Sequence, residues 1–204
     1  MQGKSKMNHD FVPLAQWIDQ QYGVRTINIL YDIIENGKLP RIQICFEFEQ
    51  EVSKFLNSDR TMNKHEQQAI AQAFAKTAGL QSQYYTEHLW VIYGAFEPVA
   101  KSEAMSKITQ EDTKLLQAEL NDPNLWLIMP TSFGLTPVFF LYTDAQVKTY
   151  NGSETVNKWT GLFYALLKGH DEFDYFKRDG FSISLDSKEN FDTNYQSNWY
   201  YYFK

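Results

Sequence analysis

Residues 26–48 constrain the fold more than any other stretch of the chain. Ile27, Ile29, Tyr31 and Ile33 alternate on one side of a strand. Ile42, Ile44, Phe46 and Phe48 alternate on its return, with Arg41, Gln43, Cys45 and Glu47 between them and facing outward. A period of two places each set on one face of a pleated sheet. The runs are joined by Glu35-Asn36-Gly37-Lys38, whose Asn-Gly pair tolerates the two positive φ angles of a tight hairpin. Pro40 stands at the start of the return strand, where a missing donor does little harm. The chain therefore builds an antiparallel pair with one apolar face, and helices must cover that face.

Helical spacing flanks this hairpin. Apolar residues at 11, 14, 15, 17 and 18 predict a helix over 11–22, with Gly23 as its stop. A short helix is expected around 51–57. Asn63 and Glu66 read as a reciprocal N-terminal cap for a helix that turns Ile70, Ala73, Phe74 and Thr77 inward and ends at Gly79. Residues 89–96 are apolar on both faces, as in a central, doubly covered strand. Residues 97–109 are mixed and polar and read as an irregular connection.

The order then starts again. Thr109 caps a helix through Leu115, Leu116 and Leu120, ended by Asn121-Asp122-Pro123. Residues 125–129 and 137–142 are strands about a turn at Thr131-Ser132-Phe133-Gly134. A helix over 153–168 buries Val156, Trp159, Leu162, Phe163, Leu166 and Leu167, with Gly169 after it. Residues 181–185 and 199–203 are strands joined by a polar loop over 186–198. The fold class expected is α+β, with antiparallel-rich sheets and helices on one face, as two similar αββαβ halves over residues 1–102 and 103–204.

Composition bounds the function. The chain of 204 residues is long enough to bury a core without disulfides or metals. Its net charge is −6, and the charge is uneven: 10 Lys/Arg against 11 Asp/Glu in residues 1–102, 9 against 14 in residues 103–204. Such an acidic balance disfavours binding to a phosphate backbone, so no nucleic-acid partner is expected. A single cysteine, Cys45, forms no internal disulfide framework. The basic start, Met1 to Met7, is followed by no apolar run, and no run of 18 apolar residues exists, so neither a secretory signal nor a membrane span is expected. Residues 1–9 read as loose, and the compartment expected is the cytoplasm.

No stretch carries the spacing of a catalytic or cofactor motif. His65-Glu66 begins like a zinc-protease helix, but Ala69 stands where the second histidine belongs. His170, Asp171, Glu172 and Asp174 offer oxygen and imidazole ligands within five residues, without the glycine and closing acid of a calcium loop. This cluster supports one alternative, a small metal-dependent hydrolase. Cys45 has no local histidine signature, and no glycine-rich phosphate loop or nucleophile elbow is present. No cofactor and no metal site is expected on these grounds.

Residues 171–204 carry eleven aromatic residues, with seven carboxylates against four Lys/Arg, and close on Trp199-Tyr200-Tyr201-Tyr202-Phe203. Rings with polar tips beside acids make protein-binding faces. They equally make well-packed strands, in which case Trp199, Tyr201 and Phe203 are core. Within this region Ser182, Leu185, Ser187, Phe191, Asp192 and Tyr195 occupy places comparable to the C-terminal strand–loop–strand of YezG-type bacterial immunity proteins, which the region resembles. The resemblance implies a small cytoplasmic bacterial protein that neutralises a partner nuclease toxin; the first hundred residues take no part in it. The reading is a non-catalytic protein-binding module that grips a basic partner through Asp186, Glu189, Asp192, Tyr195, Asn198 and Trp199. Tyr195 and Trp199 would serve as anchors and the acids would steer. A homo-oligomeric structural module is a further alternative.

Overall fold

Short polar side chains begin most of the helices. Asn63, Thr109, Thr143, Ser153, Ser187 and Asn198 each accept a hydrogen bond from a backbone N–H two or three residues on, which satisfies a donor the helix itself cannot. The computed structural model describes residues 6–35, 37–78, 83–131 and 135–204. Asn36 of the hairpin turn, Gly79 and the turn residues Ser132, Phe133 and Gly134 lie outside them, as do residues 1–5. The chain is α+β and divides into two compact units, Met1–Val99 and Ala100–Lys204.

The first unit runs α1 (Val12–Tyr22), β1 (Thr26–Ile34), β2 (Leu39–Phe46), α2 (Glu49–Val52), α3 (Lys64–Thr77) and β3 (Trp90–Ala95), and leads into α4 (Phe96–Ser106). Gly23 ends α1 in the left-handed region, φ 60°, where only a residue without Cβ sits at no cost. The hairpin pairs Tyr31 with Ile42 and Ile29 with Ile44. Its turn has positive φ at Glu35 and Gly37. Ile42, Ile44 and Phe46 face a core shared with Leu14 and Ile18 of α1 and Ile70 and Phe74 of α3.

The second unit runs α5 (Gln110–Leu120), β4 (Leu125–Met129), β5 (Val138–Leu141), α6 (Asp144–Tyr150), α7 (Glu154–Lys168), β6 (Ser184–Ser187), α8 (Lys188–Tyr195) and α9 (Trp199–Tyr202). Phe139 and Leu141 face a core shared with Leu116 of α5 and Trp159, Phe163 and Leu167 of α7. Val138 and Phe140 face the other way, into a second cluster with Phe191 of α8 and Trp199 and Tyr202 of α9. Helices thus occupy one face of the first sheet's core, whereas in the second unit α8 and α9 add a layer on the opposite face.

The two units repeat one αββαβ plan, with the short helices α2 and α6 at the same point in each. Each sheet joins its hairpin antiparallel and adds the last strand parallel to the hairpin's second strand, in the orders β1-β2-β3 and β4-β5-β6. Each first strand is bulged near its start, between Thr26 and Asn28 and between Leu125 and Leu127. The polar ties repeat as well. Glu47 N–H donates to Arg25 O and Tyr142 N–H to Asn124 O, both at 3.2 Å. The third residue of the short helix reaches back in both: Glu51 Oε1 accepts from Arg25 N–H at 2.6 Å, and Gln146 Nε2 donates to Asn124 Oδ1 at 2.6 Å.

Several expectations are corrected. Residues 97–109 are not irregular, because Ala100, Ala104 and Met105 make a buried stripe for α4 and Pro98 falls in its first turn, where a missing N–H costs nothing. Strand β3 is an edge, and β2 is central. Glu47 is buried against Arg25 rather than outward, and Phe48 is only half-buried. Glu66 does not close a capping box, since its carboxylate accepts from Tyr22 Oη at 2.6 Å. The strand expected over 181–185 is Ser184–Ser187, and the loop over 186–198 and the strand over 199–203 are replaced by α8 and α9.

The packing sets the stability of the second unit. Phe139→Ala, at a fully buried ring, is expected to lower the unfolding free energy by about 3–5 kcal/mol. Thr109→Ala, which deletes a cap, should cost about 1 kcal/mol. Leu115→Ala, at a side chain 62% exposed, should change stability by less than about 0.5 kcal/mol. Urea titrations of the three variants check the order.

Candidate functional site

The C-terminal segment becomes helical because Ser187 caps it. Ser187 is wholly buried; its Oγ accepts from Asn190 N–H at 2.8 Å and donates to Asp144 Oδ1. One turn on, Phe191 stacks on Trp199 at 3.9 Å between centroids. Asn198 then caps the short α9, and its 3.6-residue period turns Trp199 and Tyr202 toward Phe140, at 5.4 and 5.3 Å. Tyr200 and Tyr201 are left outside, 68% and 50% exposed, with Phe203 beyond them at 37%. Lys204 Nζ lies 5.7 Å from the centroid of the Tyr200 ring.

The sequence-selected residues are held within this layer. Asp186, at the end of β6, accepts from Ser187 N–H at 2.7 Å, from Asn190 Nδ2 at 2.8 Å and from Tyr202 Oη at 2.5 Å. Burial, and then that hydrogen bond, push the Tyr202 phenol well above its ordinary range. Glu189 Oε2 accepts from Asp144 N–H, at 3.0 Å, at the positive start of α6. Asp192 pairs with Lys188 one turn earlier and accepts from Ser197 Oγ at 2.6 Å; the Lys188 hydrogen bond holds its carboxyl below the usual range. Tyr195 meets Tyr202 edge-on at 4.9 Å. Asn198 is exposed and spends its side chain on the cap. Trp199 is half-buried among Phe191, Phe140 and Trp126.

Asp186, Tyr195 and Trp199 are therefore brought together around Tyr202, while Glu189, Asp192 and Asn198 sit on the outer rim. The residues that sequence reasoning missed are Tyr200 and Tyr201. The signal that finds them is Asn198 read as a cap, which converts the terminal aromatic run from period two to period 3.6.

The other clusters resolve into structural roles. Lys168 Nζ donates to Asp171 Oδ2 at 2.7 Å and to Asp174 Oδ1, and Lys177 pairs with Asp174 from the other side. The Asp171 carboxylate, 3% exposed, also accepts from Tyr175 N–H at 3.0 Å and Phe176 N–H at 2.9 Å, closing the turn after α7. Among the described residues no group of three or more His, Cys, Asp or Glu is placed to hold a metal ion. His65 Nδ1 lies 3.1 Å from Glu66 Oε1, and Glu66 is engaged by Tyr22. Burial pushes the Cys45 thiol up, away from the thiolate. No helix among the described residues is long and apolar enough to cross a membrane.

Comparison with known proteins returned no matching family, no matching curated relative and no matching solved structure.

Two outcomes follow from these contacts. Asp186→Ala removes the acceptor of a half-buried phenol and is expected to cost about 1–3 kcal/mol. It should also move the Tyr202 titration down toward, but not to, its ordinary value, because burial remains; tyrosinate absorbance across a pH series reads both. Asp174 is pulled from its ordinary 3.8 to about 2 by Lys168 and Lys177. A depressed carboxyl contributes stability that is full above its unfolded value and lost as pH falls through the folded one. The melting temperature of the native chain should therefore drop between pH about 4 and about 2. Asp174→Asn should lack that part of the drop in the same melts.

Proposed function

We propose that the chain is a non-catalytic protein-binding module that docks a basic protein on the outer surface of α8 and α9. The observation that carries the reading is the pair Tyr200 and Tyr201, exposed on a helix whose neighbours Trp199 and Tyr202 are locked into a packed cluster. Exposed tyrosines on a rigid support present large amphipathic contact area at little entropic cost, as hot-spot residues do. Glu189 and Asp192 stand on the rim of that surface, and the excess of carboxylates in the second half favours encounter with a cationic partner. The resemblance of this region to YezG-type immunity proteins makes a nuclease toxin the partner class. Neutralisation would then consist in covering the toxin's basic groove, in the bacterial cytoplasm where such a toxin acts. The reading shifts the anchors from Tyr195 and Trp199 to Tyr200 and Tyr201, since the former pair is engaged in the cluster around Tyr202.

The immobilised chain should retain a basic protein from its host extract. With that protein purified, Tyr200→Ala/Tyr201→Ala should weaken the dissociation constant by about 30-fold or more, as loss of two hot-spot rings requires, and leave the melting temperature unchanged. Glu189→Gln should slow association and flatten its salt dependence with little change in dissociation. A retained partner whose affinity ignores the double substitution would place the interface elsewhere and end this reading.

A further inference from the structure

The two units follow one plan, yet the first uses more chain between its short helix and its long one. Asn63, the cap of α3, comes fourteen positions after Glu49, the first residue of α2. Ser153, the cap of α7, comes nine positions after Asp144, the first residue of α6. The extra residues form a small closed loop. Leu56 and Met62 meet at its neck as an isolated antiparallel bridge. Within it Asn57 N–H donates to Thr61 O at 2.8 Å, and Arg60 N–H donates to Asn57 O at 2.9 Å. Asp59 Oδ1 accepts from Thr61 N–H at 2.9 Å and from Thr61 Oγ1 at 2.6 Å. These bonds hold Arg60 in the left-handed region, φ 65°, which a residue with a side chain seldom adopts. Loops carried on a rigid framework are where binding residues concentrate.

Together with α2 this loop lines a cavity of about 530 Å³, within the range of small-molecule sites. Its walls differ in character. Val52 and Leu56 are half-buried and apolar, and Val52 packs against the first unit's core. Glu49 and Arg60 bring opposite charges to the same cavity, 3.6 Å apart, beyond hydrogen-bonding distance. Among the described residues no hydrogen bond engages either side chain. The donors of the guanidinium and the acceptors of the carboxylate are therefore open to a ligand. Gln50 and Glu97 complete the polar lining.

We propose that this cavity binds a free α-amino acid with a large apolar side chain. The Arg60 guanidinium, a planar fork of donors, receives the ligand's carboxylate, and Glu49 receives its ammonium group. The two protein charges stand 3.6 Å apart, so the ligand's charges must be neighbours as well. They are neighbours across a single α-carbon and are not at the two ends of a longer chain. Positive and negative groups then alternate, and the ligand's side chain covers Val52 and Leu56. The charged side chains are 80% and 68% exposed, which keeps each ionic contact weak and sets a dissociation constant of the order of 0.1–1 mM. The site lies in the first unit and is independent of the docking surface on α8 and α9.

The test titrates the isotopically labelled full chain with L-phenylalanine and L-leucine. Phenethylamine and 3-phenylpropanoate, each keeping the apolar body and one charge, are titrated in parallel. Saturable shifts are expected at the amides of Gln50, Val52, Asn57 and Arg60 with the amino acids, and either single-charge analogue should bind about tenfold or more weakly than phenylalanine. Arg60→Ala should weaken the amino acids by about tenfold without weakening phenethylamine. Glu49→Gln should weaken them similarly without weakening 3-phenylpropanoate. Both positions are exposed, so melts of the two variants should match the wild type and separate lost binding from lost folding. No saturable shift up to the solubility limit of either amino acid would overturn the proposal. So would phenethylamine binding as tightly as phenylalanine, which would make this a site for simple cations, or binding indifferent to both substitutions.

Discussion

Strand β5 has no solvent side. Val138 to Leu141 are all buried, and they alternate between two cores, Phe139 and Leu141 against α5 and α7, Val138 and Phe140 against α8 and α9. A four-residue strand of this kind is stable only if both faces are roofed, since each large side chain left in water forfeits roughly 1.5–3 kcal/mol of burial. The C-terminal helices are therefore a structural requirement of the central strand as well as a surface. The aromatic residues within α9 divide accordingly: Trp199 and Tyr202 roof Phe140, while Tyr200 and Tyr201 face solvent.

The polar groups around this layer follow the same logic. Asp186 ties the end of β6 to Tyr202, Ser187 ties α8 to Asp144, and Glu189 ties α8 to the start of α6. Each bond links a helix of the outer layer to the sheet or to its neighbour, so the orientation of α8 and α9 is set by groups with defined directions as well as by apolar area. The carboxylates counted in the sequence as negative charge are thus largely committed to internal partners. Their field still extends into solvent, but their geometry belongs to the fold.

Much of the architecture was legible in the residues because it depends on local rules. The alternation through Ile42, Ile44 and Phe46 states the strand and its inward face. Gly23, Thr109 and Ser153 state helix ends through conformations and side-chain oxygens that act within one turn. The tail is less legible because the β-favouring rings at 199–203 carry a strong strand propensity, which is overridden by the local caps Ser187 and Asn198 and by the non-local need to cover Phe140. Glu47 and Glu66 illustrate a second limit. A carboxylate on a strand or at a helix start looks solvent-directed until Arg25 or Tyr22, distant in sequence, arrives beside it. The candidate site shared this fate: Asp186, Tyr195 and Trp199 are engaged within the layer, and Glu189, Asp192 and Asn198 lie at its rim.

The parallel attachment of β6 to β5 has a consequence for biosynthesis. The roof over Phe140 follows β6, which in turn follows the whole crossover through α6 and α7, so α8 and α9 are made after every other element of their unit. During translation the core on the α5–α7 face gains its parts first, and Val138 and Phe140 wait on the open side of a nascent sheet. An uncovered aromatic strand is the kind of surface on which incomplete chains stick to one another. The cell would meet this stretch first as a target for chaperones, and only afterwards as the underside of a finished layer.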